Sequence, residues 1–230
     1  MSSINFIGGE KGGVGKSVTA RVLAQYFIDH SRPFTGFDTD RSHSSFTRFY
    51  EGFASQVVVD SFEGLDTVVN GFETNPQQSV IVDLAAQTLA PLSRWIKESD
   101  LFDVFADIGV TVNFWHVLDD GKDSTDLLGA LIDTFGNRPN YIVVQNYGRG
   151  SDFGMLLASQ SLSKATANGA RVITLPRLHD ASMRKIDAQN TSFWKAVNDR
   201  EGPHALGLLE RQRVKSWLAT AYAAFDTLPL

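Results

Sequence analysis

The chain has 230 residues, of which 43% are hydrophobic and 20% are charged. This composition excludes a mostly disordered protein, because enough apolar surface can be buried to offset the loss of chain entropy. The formal net charge is −5 and cysteine is absent, which excludes disulfides, thiolate metal sites and iron–sulfur clusters. No apolar run approaches the ~20 residues of a membrane-spanning helix and no secretory signal is recognisable, so we expect a cytoplasmic protein without a membrane segment.

Short apolar runs typical of β-strands alternate with segments of helical periodicity along the whole chain. This order predicts a doubly wound α/β fold, in which helices cover both faces of a mostly parallel sheet of about seven strands. We find no linker and no internal repeat, and therefore expect a single domain over residues 1–230. The predicted strands are Ile4–Gly8, Phe34–Asp38, Gln56–Asp60, Val80–Leu84, Val110–Leu118, Tyr141–Asn146 and Arg171–Leu175.

Three helices are indicated by apolar side chains that recur with a period of 3.6 residues. The first covers Val18–His30, and the last covers residues 206–225, which we expect to dock on the body of the domain. Between them lies an aromatic stripe with the spacing of one helical face, which predicts core packing rather than a binding surface. Its members are Phe46, Phe49, Tyr50 and Phe53.

The strongest motif follows the first predicted strand and reads Gly8-Gly9-Glu10-Lys11-Gly12-Gly13-Val14-Gly15-Lys16-Ser17. Its glycines let backbone N–H groups turn towards a phosphate chain without obstructing Cβ atoms, and the following helix adds the positive end of its dipole. In such a loop Lys16 reaches the β- and γ-phosphates and the Ser17 hydroxyl binds Mg²⁺. The sequence therefore predicts a P-loop NTPase. The residues expected to hold the nucleotide are Gly12, Gly13, Val14, Gly15, Lys16, Ser17 and Val18.

Acidic residues follow two further predicted strands. Asp38 and Asp40 come at the end of the second strand, and Asp83 ends the apolar run Ser79-Val80-Ile81-Val82 in the manner of a Walker B strand. Since the carboxyl ends of parallel strands face the ligand crevice, we expect these carboxylates near the phosphate loop. A hard cation such as Mg²⁺ prefers oxygen ligands, so Asp83 is a candidate for the metal shell.

Within the loop, Lys-Gly-Gly-Val-Gly-Lys-Ser is a deviant Walker A sequence, and with it the chain resembles the ParA/MinD family of P-loop ATPases. The resemblance implies a homodimer formed around ATP and Mg²⁺, in which Lys11 crosses to the partner's phosphates. It also implies that Asp40 orients the attacking water and that Asp38 belongs to the metal shell. The expected catalytic residues are thus Lys11, Lys16 and Asp40, and the expected metal ligands are Ser17, Asp38 and Asp83.

Two later segments extend the resemblance. Asn146 ends a strand in the place of the family asparagine that reads the adenine edge, and Pro176 lies in the segment that packs against the base. The chain departs from the family where Arg41-Ser42 replaces the frequent Pro-Gln and where residues 84–87 replace the usual Pro- or Gly-containing switch loop. The first departure concerns the subfamily more than the chemistry, and the second implies a switch loop of different sequence.

The segments 90–100 and 210–215 resemble TraL-type nucleotide-binding proteins, which are encoded with conjugal-transfer and mobilisation genes. The resemblance implies a slow ATPase, stimulated by a protein partner, that serves plasmid partition or conjugal mobilisation. Residues 171–215 hold nine basic and five acidic side chains, and this excess is a candidate surface for nonspecific DNA binding. The basic residues singled out are Arg177, Arg184, Lys185, Arg211, Arg213 and Lys215.

Two other functions stay open at this point. A metabolic P-loop ligase resembling dethiobiotin synthetase would use the same loop with a small acceptor and would not associate in response to ATP. A nucleotide-gated scaffold would bind ATP and hardly hydrolyse it, which the altered residues after Asp40 and Asp83 would allow.

Overall fold

The computed structural model describes residues 2–202 and 205–230. These ranges contain seven strands and eleven helices, and at least one helix follows every strand. The strands are β1 (Ser2–Gly8), β2 (Phe34–Asp38), β3 (Ala54–Gln56), β4 (Ser79–Asp83), β5 (Val110–Leu118), β6 (Asn140–Asn146) and β7 (Arg171–Leu175). The helices are α1 (Lys16–Asp29), α2 (Ser45–Phe49), α3 (Phe62–Thr74), α4 (Leu89–Glu98), α5 (Leu101–Asp107), α6 (Lys122–Phe135), α7 (Gly154–Leu157), α8 (Gln160–Ala167), α9 (Asp180–Ala188), α10 (Phe193–Asn198) and α11 (Leu208–Phe225).

The strands form one sheet in the order β3-β2-β4-β1-β5-β6-β7, and each neighbouring pair is parallel. The predicted fold class is confirmed, and the sheet is parallel throughout. β1 lies at the centre, between β4 and β5, so the loop that follows it opens at the middle of the carboxyl edge. The described helices include none that is long and apolar enough to cross a bilayer.

Side chains of the central strands alternate between two apolar clusters, one on each face of the sheet. Ile4 and Phe6 enter the cluster beneath α3–α6 and α8, whereas Ile7 enters the cluster beneath α1, α2 and α9–α11. Because side chains in a strand alternate between faces, buried runs of this kind are typical of a sheet covered on both sides. The docking of α11 is confirmed, since Val214 and Phe225 are fully buried in the second cluster.

Two local predictions are wrong. The third strand comprises Ala54–Gln56 and not residues 56–60, because Val57 and Val59 leave the sheet and pack into the core as part of the loop to α3. The aromatic helix ends at Phe49, so Phe53 lies beyond it, 48% exposed, with its ring stacked on Phe34. In both places apolar spacing reports burial, whereas the backbone conformation is set by neighbouring elements.

Candidate functional site

The phosphate loop (residues 8–17) connects the central strand β1 to α1. Gly15 is the N-cap of α1 and has a φ of 100°, a conformation that favours glycine. A Cβ atom at this position would lie 2.1 Å from Nδ2 of Asn146. That nitrogen donates a hydrogen bond of 2.7 Å to the carbonyl oxygen of Val14. The end of β6 therefore braces the loop from the side.

Lys16 is folded into the phosphate loop. Its Nζ donates to the carbonyl oxygens of Gly9, at 2.8 Å, and of Lys11, at 3.0 Å. Only 8% of the residue is exposed, and burial lowers the pKa of the lysine, while the carboxylates of Asp83, Glu10 and Asp40 oppose the shift. A buried ammonium held by carbonyl oxygens is ready to exchange them for stronger phosphate acceptors.

The sheet register brings two predicted metal ligands together, because Asp38 on β2 is the direct partner of Asp83 on β4. Asp83 is 1% exposed and both of its carboxylate oxygens lack a hydrogen-bond partner among the described residues. Burial and the neighbouring Asp38 raise the pKa of Asp83 to about 8, while Ser17 and Lys16 act in the opposite direction. A buried carboxylate without partners next to a serine hydroxyl fits a hard cation.

Asp38 is more fully engaged than its neighbour. Its Oδ2 accepts hydrogen bonds from the backbone N–H groups of Phe46 and Thr47, at 2.9 and 3.1 Å, and its Oδ1 accepts from Asp40 N–H at 3.0 Å. Burial nevertheless raises its pKa. The described residues contain no group of three or more His, Cys, Asp and Glu side chains able to hold a metal. Mg²⁺ would therefore need phosphate oxygens and water to complete its shell, as it commonly does in nucleotide sites.

Asp40 stands at the entrance to the same region, with 29% of its side chain exposed. Its Oδ1 accepts hydrogen bonds from the Ser42 hydroxyl, at 2.6 Å, and from the Ser42 and His43 N–H groups. Burial acts to raise the pKa of Asp40, but these hydrogen bonds outweigh it and hold the pKa below the usual range. An acid of this kind stays ionised near neutral pH and can accept a hydrogen bond from water.

Two adjoining cavities lie over the phosphate loop. The loop cavity has a volume of about 790 Å³ and the strand-end cavity one of about 390 Å³, a size range typical of small-molecule sites. Of the predicted site residues, the loop cavity is lined by Gly12, Gly13, Gly15, Lys16, Ser17, Val18 and Asp40, and the strand-end cavity by Val18, Asn146 and Pro176. Asp38 and Asp83 are buried and line neither cavity, and Val14 is buried with its carbonyl group against Asn146.

Lys11 is held within its own chain. Its Nζ lies 2.7 Å from Oδ2 of Asp119, at the end of β5, and this contact raises the pKa of the lysine. Asp119 also accepts hydrogen bonds from the Ser124 hydroxyl and from Gly121 N–H. Asp119 was not among the predicted site residues, although it directly follows a strand that pairs with β1, the same kind of position that marked Asp38 and Asp83.

Two more contacts were missed. The Glu10 carboxylate accepts hydrogen bonds from the N–H groups of Thr88 and Leu89, at 3.1 and 2.9 Å, and so joins the phosphate loop to the start of α4. Arg149 lines both cavities and approaches Gly15. Glu10 could have been found as the residue that replaces glycine in the strict loop pattern. Nothing in the sequence marks Arg149.

The predicted DNA surface is partly neutralised by local ion pairs. Arg177 pairs with Asp180 at 2.7 Å and Lys185 with Glu210 at 2.8 Å, while Arg211 donates to a carbonyl oxygen. The other three predicted residues make no ion pair with any residue in the described ranges; they are Arg184, Arg213 and Lys215.

His116 provides a test of the packing behind the phosphate loop. It is the β5 partner of Gly8, is 3% exposed and donates from Nε2 to the Ser124 carbonyl oxygen at 2.9 Å. Burial lowers its pKa from 6.5 to about 4, Lys16 adds to this, and the hydrogen bond to Ser124 opposes it. Below pH 6.5, His116 is therefore protonated in the unfolded chain but stays neutral in the folded chain. The free energy of unfolding consequently falls as the pH decreases from 6.5 towards 4.

We expect the protonation of His116 in the unfolded chain to lower the free energy of unfolding by about 2 kcal/mol when the pH is reduced from 7 to 5. His116→Gln keeps an amide donor for Ser124 and has no titrating group, so the variant is expected to lose about that much less than the parent over this interval. Urea unfolding of both chains at the two pH values measures the difference. Equal losses in the two chains would assign the acid sensitivity to other groups.

Comparison with known proteins gives relatives in sequence and in structure. No family model matches the chain. It is 24% identical to protein MobD of Acidithiobacillus ferrooxidans over 200 residues, which cover 86% of this chain and 87% of MobD. It is also 24% identical to protein TraL of Escherichia coli over 237 residues, covering 94% and 93% of the two chains.

The fold is similar to that of the MinD cell division protein from Aquifex aeolicus, with a TM-score of 0.54 at 14% identity over 96% and 97% of the chains. A chain of the MinC:MinD cell division protein complex of the same organism gives a TM-score of 0.57 at 13% identity, over 99% of this chain and 98% of that chain. The resemblance to the ParA/MinD family and to TraL proteins is confirmed. At this identity the MinD structures establish the fold, and MobD and TraL provide the likeness in sequence.

Proposed function

We propose that this chain is a single-domain P-loop ATPase of the ParA/MinD type that binds ATP with Mg²⁺, forms a dimer around it and hydrolyses it slowly. The observation that carries the proposal is the phosphate loop lying against Asp83, whose buried carboxylate has no hydrogen-bond partner among the described residues. A buried group of this kind costs stability, and a cation shared with a phosphate chain would satisfy it.

The residues divide the chemistry between them. Lys16 would leave the Gly9 and Lys11 carbonyl oxygens and bind the β- and γ-phosphates. Ser17 and Asp83 would hold Mg²⁺ directly, and Asp38 would support the shell from its capped position on β2. A Mg²⁺ ion held by these residues would neutralise charge on the phosphate oxygens. Asp40, kept ionised by Ser42 and His43, would orient the water whose oxygen attacks the γ-phosphorus as the bond to ADP breaks.

In the proposed mechanism, Lys11 changes partners when the dimer forms. In the single chain it is paired with Asp119, and in the dimer it would exchange that carboxylate for the phosphates bound by the partner subunit. A cation delivered to the transferring phosphoryl group acts as an arginine finger does, an effect of ~10³ to 10⁵ in GTPases. In the single chain, the pair with Asp119 would hold the Lys11 ammonium at the end of β5 until a partner binds.

The names of the sequence relatives support a role in conjugal mobilisation, with plasmid partition as the neighbouring possibility within the family. The MinC:MinD complex supports a protein partner for a protein of this fold. For DNA, the unpaired Arg184, Arg213 and Lys215 are the residues that fit the proposal best, and binding through them would weaken steeply with salt. Asn146 would contact the base only if its amide exchanged its present partners, Val14 and Gly148.

Light scattering with Mg²⁺ and ATP, and then with ADP, tests the switch on the parent, Asp40→Ala and Lys11→Ala chains. We expect a dimer with ATP and a monomer with ADP for the parent. Asp40→Ala should keep the ATP dimer because it lacks only the water-orienting acid, whereas Lys11→Ala should stay monomeric because it lacks the cross-subunit cation.

The same series separates the alternatives. A chain that binds ATP but stays monomeric under every condition would contradict the dimer and favour the metabolic ligase. A parent and an Asp40→Ala variant with the same low rate of phosphate release would contradict the assigned role of Asp40 and favour the scaffold.

A further inference from the structure

A third cavity lies beside the loop cavity and is unused by the proposed reaction. It has a volume of about 410 Å³ and opens between the end of α1, the segment around α2 and the α9–α10 connection. We call it the aromatic groove. Its lining includes Arg48, Phe49, Phe53, Asn190, Trp194 and Lys195.

Two large aromatic side chains stand exposed at this groove. Trp194 is 54% exposed and Phe53 is 48% exposed. The other tryptophans, Trp95, Trp115 and Trp217, are at most 6% exposed. The backbone of Trp194 is anchored, because its N–H donates to Oε1 of Gln25 at 2.9 Å. Aromatic side chains that line a concave surface are typical anchors of protein recognition.

The groove also carries two cations that form no ion pair, although the Arg48 guanidinium lies 5.9 Å from the centroid of the Phe49 ring. Neither Arg48 nor Lys195 forms an ion pair with a residue in the described ranges, whereas the lysines and arginines that pair elsewhere include Lys11, Lys185 and Arg177. One carboxylate, Glu51, shares the lining. A chain of net charge −5 thus has a groove with two unpaired cations against one acid, and an acidic occupant complements that charge.

We propose that the aromatic groove binds a short acidic segment of a partner protein. One large apolar side chain of this segment would lie between Phe53 and Trp194, and its carboxylates would face Arg48 and Lys195. Single-stranded nucleic acid also combines aromatic and cationic contacts, but it needs several phosphate contacts for useful affinity. Two cations beside Glu51 are too few, so the observations favour the peptide.

The groove is placed to influence the proposed ATPase. Arg48, Phe49 and Asn190 line the loop cavity as well as the groove. The Phe49 ring covers the buried guanidinium of Arg21, 3.5 Å from its centroid, and Arg21 also lines the loop cavity. A peptide in the groove would therefore change the affinity for nucleotide, and nucleotide would change the affinity for peptide by the same factor. This coupling rests on the proposed function, whereas the binding of the peptide does not.

Trp194 reports occupancy directly, because it is the one tryptophan of the four that is exposed. The probe is the synthetic peptide acetyl-Asp-Asp-Leu-Phe-Asp-Asp-amide, titrated to millimolar concentration while tryptophan emission is recorded. We expect a saturable shift of the emission to shorter wavelength. Lys195→Glu replaces an attraction by a repulsion and should weaken binding roughly fivefold to tenfold. Lys97→Glu, the same change on the exposed face of α4, should leave it unaltered.

Several outcomes would overturn the proposal. They are the absence of saturation, equal affinity for the Lys195→Glu and parent chains, and equal or tighter binding of a lysine-flanked peptide or of single-stranded oligothymidylate. An emission shift that follows protein concentration without peptide would identify a second copy of this chain as the occupant. A fluorescent ATP analogue is titrated separately. Loss of nucleotide binding with peptide binding retained would contradict the proposed function and leave the groove assigned.

Discussion

Replacing Lys16 with methionine is expected to weaken ATP binding at least 100-fold without lowering the thermal stability of the ligand-free chain. The Lys16 ammonium donates to two carbonyl oxygens of the phosphate loop and burial lowers its pKa, so its charge destabilises the folded chain. When ATP is bound, the buried Lys16 ammonium would instead be paired with the negative charge of the phosphates. Removing one partner of a buried charged pair costs about 2–5 kcal/mol, and 2.7 kcal/mol corresponds to 100-fold.

Isothermal titration with ATP and Mg²⁺ measures the affinity, and thermal unfolding without nucleotide measures the stability. Lys97→Met is the matched control, because it removes an exposed lysine from α4. If Lys16→Met bound ATP as tightly as the parent, the phosphate loop would not be the nucleotide site. If it unfolded at a much lower temperature, the loss of binding would carry no information about phosphates.

The position of the candidate site could be predicted from the sequence because the predicted residues lie at the ends of strands. Gly8, Asp38 and Asp83 each end a strand, and in a parallel sheet such ends share one edge. The central place of β1 then puts the phosphate loop between the carboxylates and the end of β5. Local patterns, a glycine-rich loop and apolar runs ending in acids were sufficient for this.

The contacts that hold the loop could not be predicted in the same way. Lys11 and Asp119 are 108 positions apart, and Glu10 and Leu89 are 79 apart. Such pairs depend on which strands become neighbours, which no short-range pattern contains. The bounds of the third strand were predicted wrongly for a related reason. Val57 and Val59 match the apolar pattern of a strand, but they belong to a loop and are buried in the core.

Asn146 shows how one side chain can have an expected role and an observed one. Its predicted contact with the adenine edge stays a prediction. In the structure, its nitrogen donates to Val14 and its oxygen accepts from Gly148 N–H. The contact with Val14 ties the end of β6 to the phosphate loop, so the side chain predicted to contact the base also braces the phosphate site. Its removal should therefore affect the loop even in the absence of nucleotide.

Replacing three glycines of the phosphate loop by alanine, one at a time, separates two reasons for glycine. One is the space needed by a Cβ atom, and the other is a positive φ angle. Gly15→Ala combines a φ of 100° with a Cβ placed 2.1 Å from Nδ2 of Asn146. Gly13 has a φ of 79°, but a Cβ atom added there would meet no atom within 4 Å. At Gly12 an added Cβ atom meets no atom within 4 Å and φ is not positive. We expect the free energy of unfolding to fall by about 3 kcal/mol, about 1 kcal/mol and less than about 1 kcal/mol in that order.

For Gly15→Ala, that loss corresponds to a melting temperature lowered by roughly 10 °C. Asn146→Ala removes the atom that the new methyl group meets, so the double variant should be more stable than the sum of the single effects by at least about 1 kcal/mol. Urea unfolding of the four chains gives this coupling. Additive effects would mean that Gly15 is required only for its backbone conformation. They would also mean that the Asn146 side chain moves aside without cost. A positive coupling would show that Asn146 fixes the loop, because only a side chain held in place keeps the methyl group out.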